Sequence, residues 1–210
     1  MDRQKTLDAL KKALEDKGKK KFTQSVELAI NFRDIDFNKQ DNRLNLEVAL
    51  PKGKGREQKI AVFADGQMAL EAKKLGIMVI GTDELPKLAA DKARLKSMLN
   101  YEFLAQPNLM AVVAKNLGQV LGTKGKLPRP LMGVKLEEAV ERAKKVVRIK
   151  SKGKYLPVAH CLVGTENMTP EDIVDNIDAV LDAVKAKTGE QRIKSVFVKL
   201  TMGKSQKIGE

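Results

Sequence analysis

Leu50-Pro-Lys-Gly-Lys-Gly-Arg-Glu-Gln-Lys-Ile-Ala-Val-Phe-Ala64 is where the texture of this 210-residue chain changes. Before it, apolar residues alternate with polar ones. Val26, Leu28, Ile30 and Phe32 stand against Ser25, Glu27, Ala29 and Asn31, and Leu44, Leu46, Val48 and Leu50 repeat the period over Arg43–Leu50. A period of two describes strands with one buried face, and the two strands are expected to pair antiparallel. Pro51 to Arg56, with one proline, two glycines and three cations, reads as a linker. After it, Ile60–Ala64 and Ile77–Ile80 are unbroken apolar runs, and each is followed by a helical stretch, Met68–Leu75 and Leu85–Leu95. Runs buried on both faces that alternate with helices predict a parallel sheet. Tyr101–Ala105 is a third short strand. Pro107 opens a helix lined by Leu109, Val113 and Leu117, residues 118–130 form a loop, and Leu136–Val147 is the last helix of this portion.

Beyond Lys150 the alternating style returns. Tyr155–Val163 reads as a strand, and Thr169-Pro170-Glu171-Asp172 caps a helix lined by Ile173, Ile177, Val180, Leu181 and Val184 and closed by Gly189. Val196, Val198 and Leu200 alternate in a final strand. With the amphipathic helix of Leu7, Leu10 and Leu14 at the start, the order is α+β, then an inserted α/β portion, then α+β again. The fold class is α/β in two domains: residues 1–56 and 146–210 form a discontinuous α+β domain, and 57–145 form the insert.

Lys and Arg outnumber Asp and Glu by 40 to 27, giving a net charge of +13, so a polyanion is the expected partner. No run approaches the ~18 apolar residues of a spanning helix, and no signal-peptide pattern follows Met1; a cytoplasmic protein with no membrane partner is expected. Cys161 is the single cysteine, which excludes an internal disulfide and a cysteine-rich zinc site. His160 is the single histidine, and on a strand its neighbour Cys161 points to the opposite face. Neither forms a nucleophile–base pair, and His160 reads from the residues alone as a non-catalytic core histidine. No catalytic, metal or cofactor site is predicted. The glycines around Gly118, Gly122 and Gly125 lack the phosphate-loop spacing, and Asp65-Gly66 lacks the dinucleotide one, so a nucleotide-dependent enzyme is the weaker alternative. Tryptophan is absent and aromatics make up 4% of the chain, which suits structured RNA better than single-strand stacking.

Candidate contacts lie at two strand ends. Lys19, Lys20 and Lys21 lead into Phe22 and the strand carrying Ser25 and Glu27. Glu27 is an ordinary solvated carboxylate, or one placed to accept from base amino or ribose hydroxyl groups. Thr201-Met202-Gly203 follows the last strand, flanked by Lys199, Lys204 and Ser205. There the Thr201 hydroxyl is expected to donate to RNA, with Gly203 allowing close approach. Lys124, Lys126 and Arg129 offer secondary basic contacts in the insert.

Taken in order, Lys21-Phe22-Thr-Gln-Ser25-Val-Glu27, Leu50-Pro51-Lys-Gly, Leu121-Gly122-Thr-Lys-Gly125-Lys-Leu-Pro128-Arg-Pro130, Ala159-His160 with Gly164, and Thr201-Met202-Gly203 resemble the ribosomal protein L-one family over essentially the whole chain. Thr123-Lys124, where Pro-Arg is usual in bacteria, and Cys161, where a small residue is usual, resemble the archaeal branch. The resemblance implies a two-layer first domain that binds RNA and an inserted Rossmann-like three-layer domain. It also implies a structural role in the large-subunit stalk, bound to a folded site in ribosomal RNA near the tRNA exit site. Transient contact with exit-site tRNA, help in releasing deacylated tRNA, repression of the protein's own messenger RNA, and a monomeric state off the ribosome follow as expectations. It marks Phe22, Ser25, Glu27, His160, Gly164, Thr201, Met202, Gly203 and Ser205 as RNA-binding, and so moves His160 from the core to the RNA side. A non-ribosomal RNA-binding regulator of the same fold is the nearer alternative.

Overall fold

The computed structural model describes residues 2–133, 135–151 and 156–209. It is a mixed α/β chain that divides into two compact units, one of residues 1–56 with 145–210 and one of residues 57–144.

In the first unit, a four-stranded antiparallel sheet has the order β10 (Gln206–Ile208), β9 (Ile193–Leu200), β1 (Ser25–Phe32), β8 (Val158–Thr165). The period-2 pattern decides its two faces. Val26, Leu28, Ile30, Val196, Val198 and Leu200 are buried beneath α1 (Arg3–Leu14) and α7 (Pro170–Thr188), which contribute Leu10, Ile173, Ile177, Val180 and Val184 to the same core. Each such aliphatic side chain stabilises the unit by roughly 1.5–3 kcal/mol relative to exposure. The other face carries the half-buried set Ser25, Glu27, Ala29 and Asn31. Thr169 caps α7 by accepting from the Asp172 amide, and Gly189 ends it at φ 84°.

The strand at Asn45–Ala49 (β2) does not pair with β1, whose two edges are already occupied by β8 and β9. It pairs antiparallel with β7 (Val146–Lys150), a strand hidden in the sequence because Val146 and Val147 continue the helical spacing of α6 (Leu136–Lys145). Two β-branched residues in a row favour the extended backbone, and Ile149 and Val147 face Leu46 and Val48 across the ladder. The segment 51–56 is anchored rather than a loose linker. Asn176 on α7 accepts from the Lys52 amide at 3.0 Å and donates to the Gly53 carbonyl at 2.9 Å, and the Thr165 hydroxyl donates to the Gly55 carbonyl at 3.0 Å. Tyr155, the expected start of β8, lies outside the described residues.

In the second unit, β4 (Met78–Ile80), β3 (Ile60–Phe63), β5 (Glu102–Ala105) and β6 (Arg129–Pro130) form a parallel sheet in that order. Alternate residues of β3 enter different cores. Ala61 and Phe63 meet α3 (Leu85–Ala90), α4 (Lys92–Met98) and α5 (Met110–Thr123), while Ile60 and Val62 meet α2 (Gly66–Lys74) and α6. The expected single helix over Leu85–Leu95 is broken at Asp91, whose side chain caps α4 by accepting from the Arg94 amide at 2.9 Å. The expected loop from Gly118 is helical to Thr123, because Val113, Leu117 and Leu121 continue one buried stripe.

Candidate nucleic-acid interface

Strand pairing brings the two candidate stretches together. Val26 is opposite Leu200, so the start of β1 adjoins the end of β9, and Thr201 follows directly. The Thr201 amide donates to the Ser25 carbonyl at 3.0 Å. Its hydroxyl donates to the same carbonyl at 3.3 Å and accepts from the Ser25 amide at 3.2 Å. The hydroxyl hydrogen expected to reach RNA is therefore committed to Ser25, and Thr201 acts by setting the strand end. Gly203 follows in the same turn, its amide donating to the Leu200 carbonyl at 3.0 Å. A Cβ there would stand 3.0 Å from the Leu200 Cβ, so glycine also relieves crowding within the turn.

On the open face, Glu27 lies opposite Leu162 on one side and Lys199 on the other, while exposed His160 lies opposite Ala29. Phe22, Ser25, Glu27, His160 and Thr201 line one open depression of about 590 Å³, together with Thr23, Arg56 and Leu162. Phe22 is 51% exposed and Met202 63%. Met202 is held through its backbone, its amide donating to the Gln24 Oε1 at 3.1 Å. Gly164 stands apart. It is buried, and a Cβ on it would meet Met168 and Ile173, so it shapes the back of β8. Cys161 faces the core as alternation requires, and burial pushes its thiol up to about 12. The residue still borders the depression as part of β8, with its thiol turned to the core.

Lys19, Lys20, Lys21, Lys204 and Ser205 are exposed. Lys19 donates to Asp16 at 2.6 Å, which raises the lysine and, with smaller contributions from Lys204 and Lys20, lowers the carboxyl. The last two lysines therefore share the electrostatic neighbourhood of Lys19, and one basic rim spans the α1–β1 loop and the turn after β9. Lys126 forms an ion pair with Glu102 at 2.8 Å, and it lies with Lys124 and Arg129 in the second unit. That unit also has a cleft of about 750 Å³, where Glu57, Glu137 and Glu141 offset Lys59 and Lys144, so its wall has no basic excess to draw a polyanion.

Arg56, Gln24 and Glu166 escaped the sequence reading. Arg56 sits in what looks like linker chemistry, and only the folded chain brings it to the depression. Gln24 and Glu166 are buried polar residues, which no local pattern distinguishes from solvated ones. Among the described residues no group of three or more His, Cys, Asp or Glu is arranged to hold a metal ion. No described helix is long and apolar enough to cross a membrane. Backbone and hydroxyl groups, an exposed aromatic ring, one carboxylate and a basic rim are groups able to bond phosphates and base or ribose edges.

Residues 10–204 match the model of the ribosomal protein L1p/L10e family. The chain is 43% identical over 213 residues to the large ribosomal subunit protein uL1 of Thermococcus kodakarensis, covering 99% of this chain and 98% of that one. It is 44% identical over 214 residues to the protein of the same name from Pyrococcus abyssi, covering 99% and 96%. A third relative of that name, from Methanocella arvoryzae, is 40% identical over 215 residues, covering 99% and 100%.

Proposed function

The chain belongs to the ribosomal protein L1p/L10e family, a structural and non-enzymatic one, and from that membership we propose that it binds large-subunit ribosomal RNA through the open end of its four-stranded sheet. In this reading it is a ribosome-associated component of the large-subunit stalk near the tRNA exit site. The discontinuous domain, 1–56 with 146–210, carries the main RNA contacts, and 57–145 is an inserted Rossmann-like domain. The site aids release of deacylated tRNA, which it meets transiently. The same face accepts a folded mimic in the protein's own messenger RNA when ribosomal sites are filled, and the unassembled protein is a monomer.

The observation that carries the reading is the convergence of Phe22, Ser25, Glu27, Arg56, His160 and Thr201 around one depression, beside the lysines of the α1–β1 loop. A net charge of +13 supplies the attraction, and the joined ends of β1 and β9 supply the register. The test is binding of the full chain to a fragment of the ribosomal RNA stalk, to its own leader RNA and to poly(U), alongside sedimentation with large subunits in low salt. Preference for the stalk fragment over poly(U) by at least about a thousandfold is expected for a specific site. Equal affinity for the two would refute it.

A further inference from the structure

We propose that Glu166 is a positioning residue whose buried carboxylate fastens the basic loop and the Thr201–Gly203 turn into one preorganised surface; this rests on the RNA reading of that face. Glu166 follows β8 and is 4% exposed. Its Oε1 accepts from the Gln24 amide at 3.0 Å. Its Oε2 accepts from the Gly18 amide and from the Gln24 Nε2, both at 3.4 Å. The backbone joins in, with the Glu166 amide donating to the Gln24 carbonyl at 3.0 Å.

Gln24 is buried too and passes the connection on. Its Nε2 also donates to the Asp16 carbonyl at 3.3 Å, and its Oε1 accepts from the Met202 amide at 3.1 Å. One carboxylate and one carboxamide thus tie together the end of α1, the loop carrying Lys19, Lys20, Lys21 and Phe22, the start of β1, and the turn after β9. The loop is neither helix nor strand, so these side chains supply ties that a sheet ladder would supply elsewhere. Withdrawing a carboxylate from water is costly unless its bonds are made, and of the three here the one from the Gln24 amide at 3.0 Å is the strongest, the two at 3.4 Å being long. The result is a surface whose ordering cost is met before RNA arrives.

Glu166→Gln keeps the shape and one acceptor but turns an amino group toward the Gly18 amide and the Gln24 Nε2, donor against donor. The comparison variant is Ile177→Val, a core change on α7 at a residue that takes no part in these hydrogen bonds. Three measurements on the full chain decide the matter: thermal midpoint, amide exchange, and affinity for the ribosomal RNA stalk fragment and for poly(U). In Glu166→Gln the amides of Gln24 and Met202 should exchange about tenfold faster while that of Leu28 stays slow, and stalk affinity should fall about tenfold with poly(U) affinity nearly unchanged. Ile177→Val should lower the midpoint and leave both affinities alone. If the Gln24 and Met202 amides stay protected in Glu166→Gln, or its stalk affinity falls no further than that of Ile177→Val, the positioning role is wrong. A wild type that does not prefer the stalk fragment overturns the RNA reading itself, and this inference with it.

Discussion

Thr201→Val exchanges a hydroxyl for a methyl group at nearly constant volume and keeps the β-branch, so it isolates the oxygen that bridges to Ser25. The Ser25 carbonyl keeps the Thr201 amide as a donor at 3.0 Å, whereas the Ser25 amide loses the acceptor it had at 3.2 Å. One orphaned donor in a half-buried position costs about 1–2 kcal/mol. For a chain of this size that lowers the thermal midpoint by roughly 2–8 °C. Fraying of β1 at Ser25 should then weaken binding of the folded protein to the stalk fragment about three- to tenfold, and poly(U) binding should barely change. Calorimetry, exchange at the Ser25 amide and RNA titration measure the three effects, with Thr201→Ser expected to restore all of them. An unchanged midpoint and a protected Ser25 amide beside a large loss of stalk affinity would mean that the hydroxyl reaches RNA directly, and the assignment to Ser25 would be refuted.

RNA affinity should fall with salt at a log–log slope of about −3 to −5 for four to six neutralised phosphates, and Lys20→Gln with Lys21→Gln should flatten it by about 0.7–0.9 per lysine, as read by titration from low to moderate salt. Cys161 should resist alkylation at pH 8 until the protein is unfolded. The unfolded thiol loses its proton near 9.0 and the folded one near 12, so this group is neutral to stability below pH 9 and subtracts from it as pH rises between those values, a difference that Cys161→Ala should remove from alkaline melting curves. Gly55→Ala should destabilise by about 2–4 kcal/mol in urea titrations, since φ is +69° and a Cβ would sit 2.4 Å from the Met168 sulfur and 2.5 Å from the Thr165 hydroxyl.

The local signals in this chain were strong where one residue pattern has one physical meaning. Alternation in Ser25–Phe32 and Ile193–Leu200 determined which side chains line the core and which remain on the open face, because a strand reverses its side chains at every residue. The same rule put His160 and Cys161 on opposite faces but did not decide which of them was buried, and His160, read from the residues alone as core, is the exposed one. The continuous apolar run Ile60–Phe63 and the short strand Glu102–Ala105 belong to a parallel sheet covered on both sides. Thr169, Pro170 and Gly189 marked the ends of α7 through capping and backbone geometry that involve only near neighbours.

Tertiary structure alone decided which strand meets which. Hydrogen bonding along a ladder is the same for any partner, so nothing in Asn45–Ala49 states that its neighbour is Val146–Lys150, a hundred residues away and written in helical spacing. The site shows the same division. The sequence marked Ser25 and Thr201 as residues of interest, and only the fold shows that the hydroxyl of one is spent on the backbone of the other. Gln24, Glu166 and Asn176 are unremarked polar letters in the chain. They become structural when burial removes water and leaves the distant backbone groups of Met202, Gly18 and Gly53 as their hydrogen-bond partners.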